Sequence, residues 1–416
     1  MERLISLFGL AVFIGIAYTF SSNRRAVRWR PVLWGIALQL ILALFILRTP
    51  IGFAMFRFLG NLVNRFLDFS DAGASFVFGE NFKDFFIAFK VLPTVIFFSA
   101  FISILYHYGL LQRLVQSLAR LMMQTMGTSA TESLSSAANI FVGQTEAPLV
   151  IKPFVSSMTL SELHAVMTGG FATVAGGVLA AYVSFGIPAE HLIAASVMSA
   201  PAGLALSKLL YPETEDSPTA GTVKIEVKRT SVNVIDAITV GALDGLKLAL
   251  NIGAMLIAFL ALLAAVNALI GWLGSLIGLP SLSLELIFSY LLAPVAWLMG
   301  VPWADCAQVG VLLGKKTILN EFIAYLDLQQ MMAEASTTSG GANAAGTPGT
   351  ISQRAILIAT YALCGFSNIG SIGIQIGGIG AIAPERQHDL ARLGVRAMIA
   401  GSLACFMTAC IAGMLL

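Results

Sequence analysis

Two glutamates stand where a carboxylate is costly. Glu146 lies in the stretch GQTEAPLV (residues 143–150) and Glu321 in LNEFIAY (residues 319–325), both within a chain otherwise built for hydrocarbon. At the middle of a helix that crosses a bilayer each carboxylate costs about 2.5 to 3.5 kcal/mol, so the pair opposes insertion by roughly 5 to 7 kcal/mol. A cost of that size marks a site.

The polar residues near these glutamates define the chemistry. Gln144, Thr145, Glu146, Glu321, Asn368 and Ser371 offer carboxylate acceptors, amides and hydroxyls, and neither glutamate motif contains a Lys or Arg to balance an anion. Such a set suits a neutral, hydroxyl-rich ligand with an amide-like edge. The carboxylates can accept from paired hydroxyls, the amides can meet a donor and an acceptor on a heterocycle, and Phe366 could pack on its ring. Sugar phosphates and amino-acid carboxylates fit poorly.

A second group offers oxygen alone. Asn139, the hydroxyl of Thr173 and carbonyls freed by helix breaks at Val142 and Val174 could complete a small hard-cation site. The plain alternatives are a helix-capping amide for Asn139 and back-bonding within its own helix for Thr173. Lys315 and Lys316 could serve a substrate, although snorkelling or hairpin capping is the plainer reading. His107, His164, His191 and His388 read as solvated or interfacial, and Cys306, Cys364, Cys405 and Cys410 as packing thiols without a metal or disulfide pattern.

These residues must be positioned by helices. With 416 residues, 57% of them hydrophobic and 11% charged, and a mean hydropathy of +0.85, the chain carries more apolar surface than a soluble domain of its length could bury. It reads as an all-α polytopic membrane protein, because in hydrocarbon every backbone N–H needs a partner within its own segment. The net charge of +2 comes with no basic stripe, so nucleic acid is not an expected partner. No His–Ser, paired-Asp or HExxH arrangement points to an intramembrane enzyme, and no catalytic residue is assigned.

Eight crossings are expected, at about 5–21, 32–48, 91–110, 163–185, 189–210, 247–272, 353–381 and 393–415. The basic cluster Arg24, Arg25, Arg28 and Arg30 after the first span places that loop in the cytoplasm and the N-terminus outside. Arg113 and Arg120, then Lys224, Lys228 and Arg229, then Arg386, Arg392 and Arg396 follow the same bias. Residues 50–90 read as interfacial amphipathic helices, and residues 282–299 as buried or interfacial. Residues 112–160 and 303–335 are half-polar and Gly-punctuated, which reads as two re-entrant hairpins. Residues 212–233 and 335–350 read as flexible connections.

The chain repeats itself. GFATVAGGV (residues 170–178) follows the first glutamate and GFSNIGSIG (residues 365–373) the second, and the two align without a gap. Three spans separate the hairpins, an odd number, so the second copy is inverted relative to the first. Inverted repeats with broken helices are the architecture of secondary transporters, which bind substrate and ion where unwound backbone and half-helix ends supply partners. The resulting division is 1–110 mainly scaffold and interfacial helices, 111–210 first transport repeat, 211–272 cytoplasmic loop and scaffold helix, and 273–416 second transport repeat. A passive channel is the rival, although hairpins of opposite orientation that each carry a carboxylate fit alternating access better than an open pore.

NIFVGQTEAPLV (residues 139–150), GVPW (residues 300–303), NEFIAY (residues 320–325) and CGFSNIGSIGIQIGG (residues 364–378) resemble, in order, the signature segments of the concentrative nucleoside transporter family, in particular its sodium-coupled bacterial members. The resemblance implies a homotrimer in the bacterial inner membrane, each protomer having eight transmembrane helices and an elevator-like mobile part. It implies a nucleoside substrate such as uridine, with Gln144, Thr145, Val178 and Phe366 toward the nucleobase and Glu146, Glu321, Asn368 and Ser371 on the ribose. Na⁺ is the implied coupling ion, between Asn139, Thr173 and the Val142 and Val174 carbonyls, with no organic cofactor. Some sodium-coupled relatives carry Ser at the Thr173 position, which leaves proton coupling as the alternative.

Overall fold

The computed structural model describes residues 1–219, 231–279, 281–338 and 351–416, so the basic residues Lys224, Lys228 and Arg229 and most of the 335–350 connection lie outside the described residues. Within the described residues every regular element is helical. Among the described residues seven helical segments are long and apolar enough to cross a bilayer. The eighth expected span is present but interrupted, as Gln353–Leu363 followed by Ile369–Ile382. The span expected at 163–185 is likewise two helices, Leu160–Ala172 and Gly176–Ser184.

Burial sorts the helices into an inner and an outer set. The most apolar windows of Leu160–Ser184 and Ala189–Leu210 are 94% and 89% buried, whereas that of Val234–Leu276 is 17% buried. The inner helices are therefore covered by protein, and the outer ones turn apolar side chains outward, as a bilayer requires. Val234–Leu276 has 43 residues, about 65 Å at 1.5 Å per residue, more than twice the hydrocarbon thickness of about 30 Å. Its buried stripe is Ala237, Gly241, Gly245 and Ala249, small residues at every fourth position that let backbones approach. They press on Leu92–His107: a Cβ at Gly245 would lie 2.7 Å from the Ile96 Cα.

Three expectations are refined. Residues 112–160 are not all hairpin, because Leu110–Met126 is an amphipathic helix burying Leu111, Val115, Ala119 and Met122 along one face. The helix–break–helix unit is shorter, Ala130–Ala138 followed by Ala147–Ser157. Residues 282–299 form two short helices, Leu284–Leu291 and Ala293–Leu298, separated where Pro294 lacks an N–H to continue the ladder. His164 is not solvated: it is fully buried, with Nδ1 2.6 Å from the Ser207 hydroxyl.

A buried ionic cluster anchors the first repeat. Ser129 and Thr159 open their helices with capping boxes completed by Glu132 and Glu162, which satisfies two free N–H groups at each helix start. Lys208 reaches the Glu132 carboxylate at 2.6 Å and donates to the Ser161 hydroxyl at 2.9 Å. Glu162 also accepts from Thr219 at 2.6 Å, which ties the chain after Ala189–Leu210 to the start of Leu160–Ala172.

Candidate functional site

The site forms where the two broken helices meet. Leu160–Ala172 stops because Thr173 turns extended, at φ −122° and ψ 168°, and Gln353–Leu363 stops as Cys364 leaves helical geometry at ψ 80°. The Phe366 N–H donates to the Thr173 carbonyl at 3.1 Å, so each break supplies the partner that the other lacks. Glycine makes the approach possible. A Cβ at Gly365 would lie 2.8 Å from the Phe171 carbonyl oxygen, and one at Gly401 would lie 3.0 Å from the Phe171 carbonyl carbon.

Around this crossing the buried polar side chains form one hydrogen-bonded chain. Gln375 Nε2 donates to Gln144 Oε1 at 3.0 Å, and Gln144 Nε2 donates to Ser371 Oγ at 3.2 Å. The Ser371 N–H caps onto Asn368 Oδ1 at 2.8 Å, which opens helix Ile369–Ile382. Asn368 Nδ2 donates to Glu321 Oε2 at 3.2 Å, and the Tyr182 hydroxyl donates to Glu321 Oε1 at 2.9 Å. Among the described residues no cation pairs directly with Glu321; two neutral donors hold it, leaving lone pairs for a further donor.

Glu146 sits differently. Its carboxylate is exposed, accepts from the Thr145 hydroxyl at 2.9 Å, and lines a cleft of about 680 Å³ bounded by residues of Leu92–His107 and Val234–Leu276. The structure thus joins Gln144, Ser371, Asn368 and Glu321 directly, keeps Thr145 and Glu146 as a neighbouring pair, and makes no hydrogen bond between the two carboxylates. Thr145 packs toward Gly378, where a Cβ would lie 2.9 Å from Thr145 Cγ2. Val178 is buried one turn before Tyr182, on the same face of Gly176–Ser184, and Phe366 is half-buried at the crossing.

The oxygen-only group lies on neighbouring segments. Asn139 is fully buried, its Nδ2 donates to the Ser135 carbonyl at 3.1 Å, and its Oδ1 has no partner. The Thr173 hydroxyl donates to the Gly169 carbonyl at 2.9 Å, so its lone pairs are free. Both residues meet at Gly169, where a Cβ would lie 3.3 Å from Asn139 Nδ2 and 3.2 Å from Ser136 Oγ. The segments carrying Val142 and Val174 abut, since the Gly176 N–H donates to the Phe141 carbonyl at 3.2 Å. The orphaned buried oxygen of Asn139 and the free lone pairs of Thr173 are neutral ligands of the kind a hard cation takes, and both capping and back-bonding operate at the same time.

Two residues of this site were not legible as site residues. Gln375 and Tyr182 lie on helices that read as apolar, although each falls four residues after a residue singled out above, Ser371 and Val178. Lys316 is buried and donates to the Ala362 carbonyl at 2.8 Å, so it caps the end of Gln353–Leu363 and not its own hairpin. Lys315 instead pairs with Asp327 at 2.7 Å and Glu285 at 3.5 Å. Ala362 stands three residues before Gly365 as Met167 stands three before Gly170, and the Met167 carbonyl is met by Gln375 Nε2 at 3.1 Å. Equivalent carbonyls of the two repeats are therefore capped by different donors.

Comparison with known proteins assigns the family. The model of the Na⁺ dependent nucleoside transporter C-terminus matches residues 191–413. The chain belongs to the Na⁺ dependent nucleoside transporter family. The N-terminal model of this family matches residues 8–81, and a nucleoside recognition model matches residues 88–189. The chain is 50% identical over 417 residues to human solute carrier family 28 member 3, covering 100% of this chain and 60% of the relative. It is 49% identical over 419 residues to mouse sodium/nucleoside cotransporter 1, covering 100% of this chain and 64% of the relative. It thus spans about three fifths of the length of these curated relatives. The solved structure of CNTnw in an inward-facing substrate-bound state matches with a TM-score of 0.90 and 41% identity, over 100% of this chain and 98% of that one. A double variant of CNTnw in an outward-facing state matches with a TM-score of 0.91 and 40% identity, again over 100% and 98%. The family consists of membrane transporters, not enzymes.

Proposed function

We propose that this family member is a secondary active symporter that imports nucleosides, uridine among them, on the sodium gradient. The observation that carries the reading is the buried hydrogen-bonded chain from Gln375 to Tyr182, which links both glutamate motifs and both helix breaks, together with the unpartnered Oδ1 of Asn139. In this reading Gln144, Thr145, Val178 and Phe366 face the nucleobase, and Glu146, Glu321, Asn368 and Ser371 hold the ribose hydroxyls. Asn139, Thr173 and the Val142 and Val174 carbonyls hold one Na⁺, and no organic cofactor takes part.

The ion supplies charge where the nucleoside cannot. A cation between the Ala130–Ala138 and Leu160–Ala172 breaks would fix the Gln144–Glu146 tip, so ion and nucleoside order the site together. Two re-entrant hairpins of opposite orientation, in repeats 111–210 and 273–416, would then move past a scaffold of residues 1–110 and 211–272 in an elevator-like step. The cleft between the first tip and the scaffold helices supports that division. One Na⁺ moving down a tenfold gradient contributes about 1.4 kcal/mol and down 100 mV about 2.3 kcal/mol, enough for roughly 500-fold accumulation at full coupling. The proposed setting is a homotrimer in a bacterial inner membrane, with the N-terminus outside.

Uptake of radiolabelled uridine into proteoliposomes tests this reading, with an inward sodium gradient in one set and an inward proton gradient at equal sodium in another. Accumulation on sodium alone is expected. Accumulation on protons alone would move coupling to a carboxylate such as Glu146, and downhill equilibration insensitive to either gradient would make the protein a passive channel.

A further inference from the structure

Gln375 is fully buried and uses both hydrogens of its amide, one on Gln144 Oε1 at 3.0 Å and one on the Met167 carbonyl at 3.1 Å. A backbone carbonyl can only accept, so the end of Gln375 that faces Met167 must be its nitrogen. The same nitrogen faces Gln144, which must therefore present its oxygen. The Gln144 nitrogen is then turned toward Ser371 Oγ, 3.2 Å away. Reversing either amide would set acceptor against acceptor at the Met167 carbonyl or donor against donor between the glutamines. One fixed carbonyl thus decides the orientation of two amides.

The packing leaves room for this contact and for little else. A Cβ at Gly170 would lie 2.8 Å from Gln375 Nε2 and 2.9 Å from Gln144 Cβ, so a residue without a side chain is what lets the pair meet.

We infer that Gln375 is a positioning residue that locks Gln144 as a hydrogen-bond donor toward the substrate, so that the site selects a nucleobase presenting an acceptor, a ring nitrogen or carbonyl oxygen, at that edge. The inference rests on the nucleoside reading above. With its oxygen engaged by Gln375 and one N–H on Ser371, Gln144 keeps one N–H for the ligand. Without Gln375 the amide can rotate, and half of its orientations offer the wrong group.

The test is uridine uptake into proteoliposomes by wild type, Gln144→Glu, Gln144→Met, Gln375→Met and the Gln144→Met/Gln375→Met double variant. Gln144→Glu has the shape of glutamine but accepts only, so it should raise the uridine KM about tenfold or more, as Gln144→Met does, the size of one lost hydrogen bond. Gln375→Met keeps an unbranched chain of similar length and removes the donors. It should raise KM about tenfold with the maximal rate held within about twofold, and it should add nothing in the Gln144→Met background. An unchanged KM in Gln144→Glu, or an equal loss from Gln375→Met in both backgrounds, overturns the inference and leaves nucleoside symport standing. If Gln375→Met shows no melting transition, Gln144→Glu decides alone. Absence of uridine uptake by the wild type sinks the nucleoside reading and this inference with it.

Discussion

Phe366 donates its backbone N–H to the carbonyl of Thr173 across 3.1 Å. The two residues are 193 positions apart by their numbers and occupy the breaks of two different helices. One hydrogen bond between repeats thereby satisfies groups that hydrocarbon would not tolerate free, and it fixes the distance between Thr173 and Val174 on one break and Phe366 and Asn368 on the other.

That crossing is intolerant of any side chain. Gly365→Ala and Gly401→Ala would press a methyl on the Phe171 and Ala172 backbone, and overpacking of this kind costs about 1 to 3 kcal/mol. A methyl at Gly373 would meet nothing within 4 Å, so Gly373→Ala is the matched control. Thermal unfolding in detergent should show a lower Tm for the first two and no loss for the third.

Glu321→Gln separates charge from structure. The new amide can accept from Asn368 through Oε1, while the Tyr182 hydroxyl reverses to accept from its nitrogen. Folding should survive with Tm nearly unchanged, and uridine uptake should fall at least about tenfold, because a charge-assisted acceptor is lost. Normal uptake by this variant would remove the ribose-carboxylate role.

Asn139→Ala deletes the unpartnered Oδ1 and leaves the Thr173 hydroxyl in place. The sodium concentration for half-maximal uptake should rise by about tenfold or more, with uptake at zero sodium unchanged. A sodium dependence identical to wild type would place the cation elsewhere.

Lys208→Met strands the buried Glu132 carboxylate, now 2.6 Å from the ammonium. Removing one partner of a buried pair costs about 3 to 5 kcal/mol, whereas removing both costs much less. Lys208→Met should therefore lower Tm sharply, and Glu132→Gln added to it should restore most of the loss, since the amide oxygen still accepts from the Ser129 N–H. Equal Tm values for the single and double variants would show that the pair does not anchor the repeat.

By itself the sequence determined the architecture and the residue types of the site. Long apolar runs must be helices in hydrocarbon, and Gly-rich interruptions beside buried polar residues mark where those helices break, so the two repeats and most of the polar chain could be read from residue order alone. Only the tertiary structure decided how the parts meet. Glu146 and Glu321 look alike in sequence, yet one lines an exposed cleft and the other is held by Tyr182 and Asn368, because exposure depends on which remote helix packs over each tip. Gln375 and Tyr182 were hidden for the same reason: a polar side chain in an apolar helix gains its meaning from a partner far away in the chain, and periodicity carries no record of that partner.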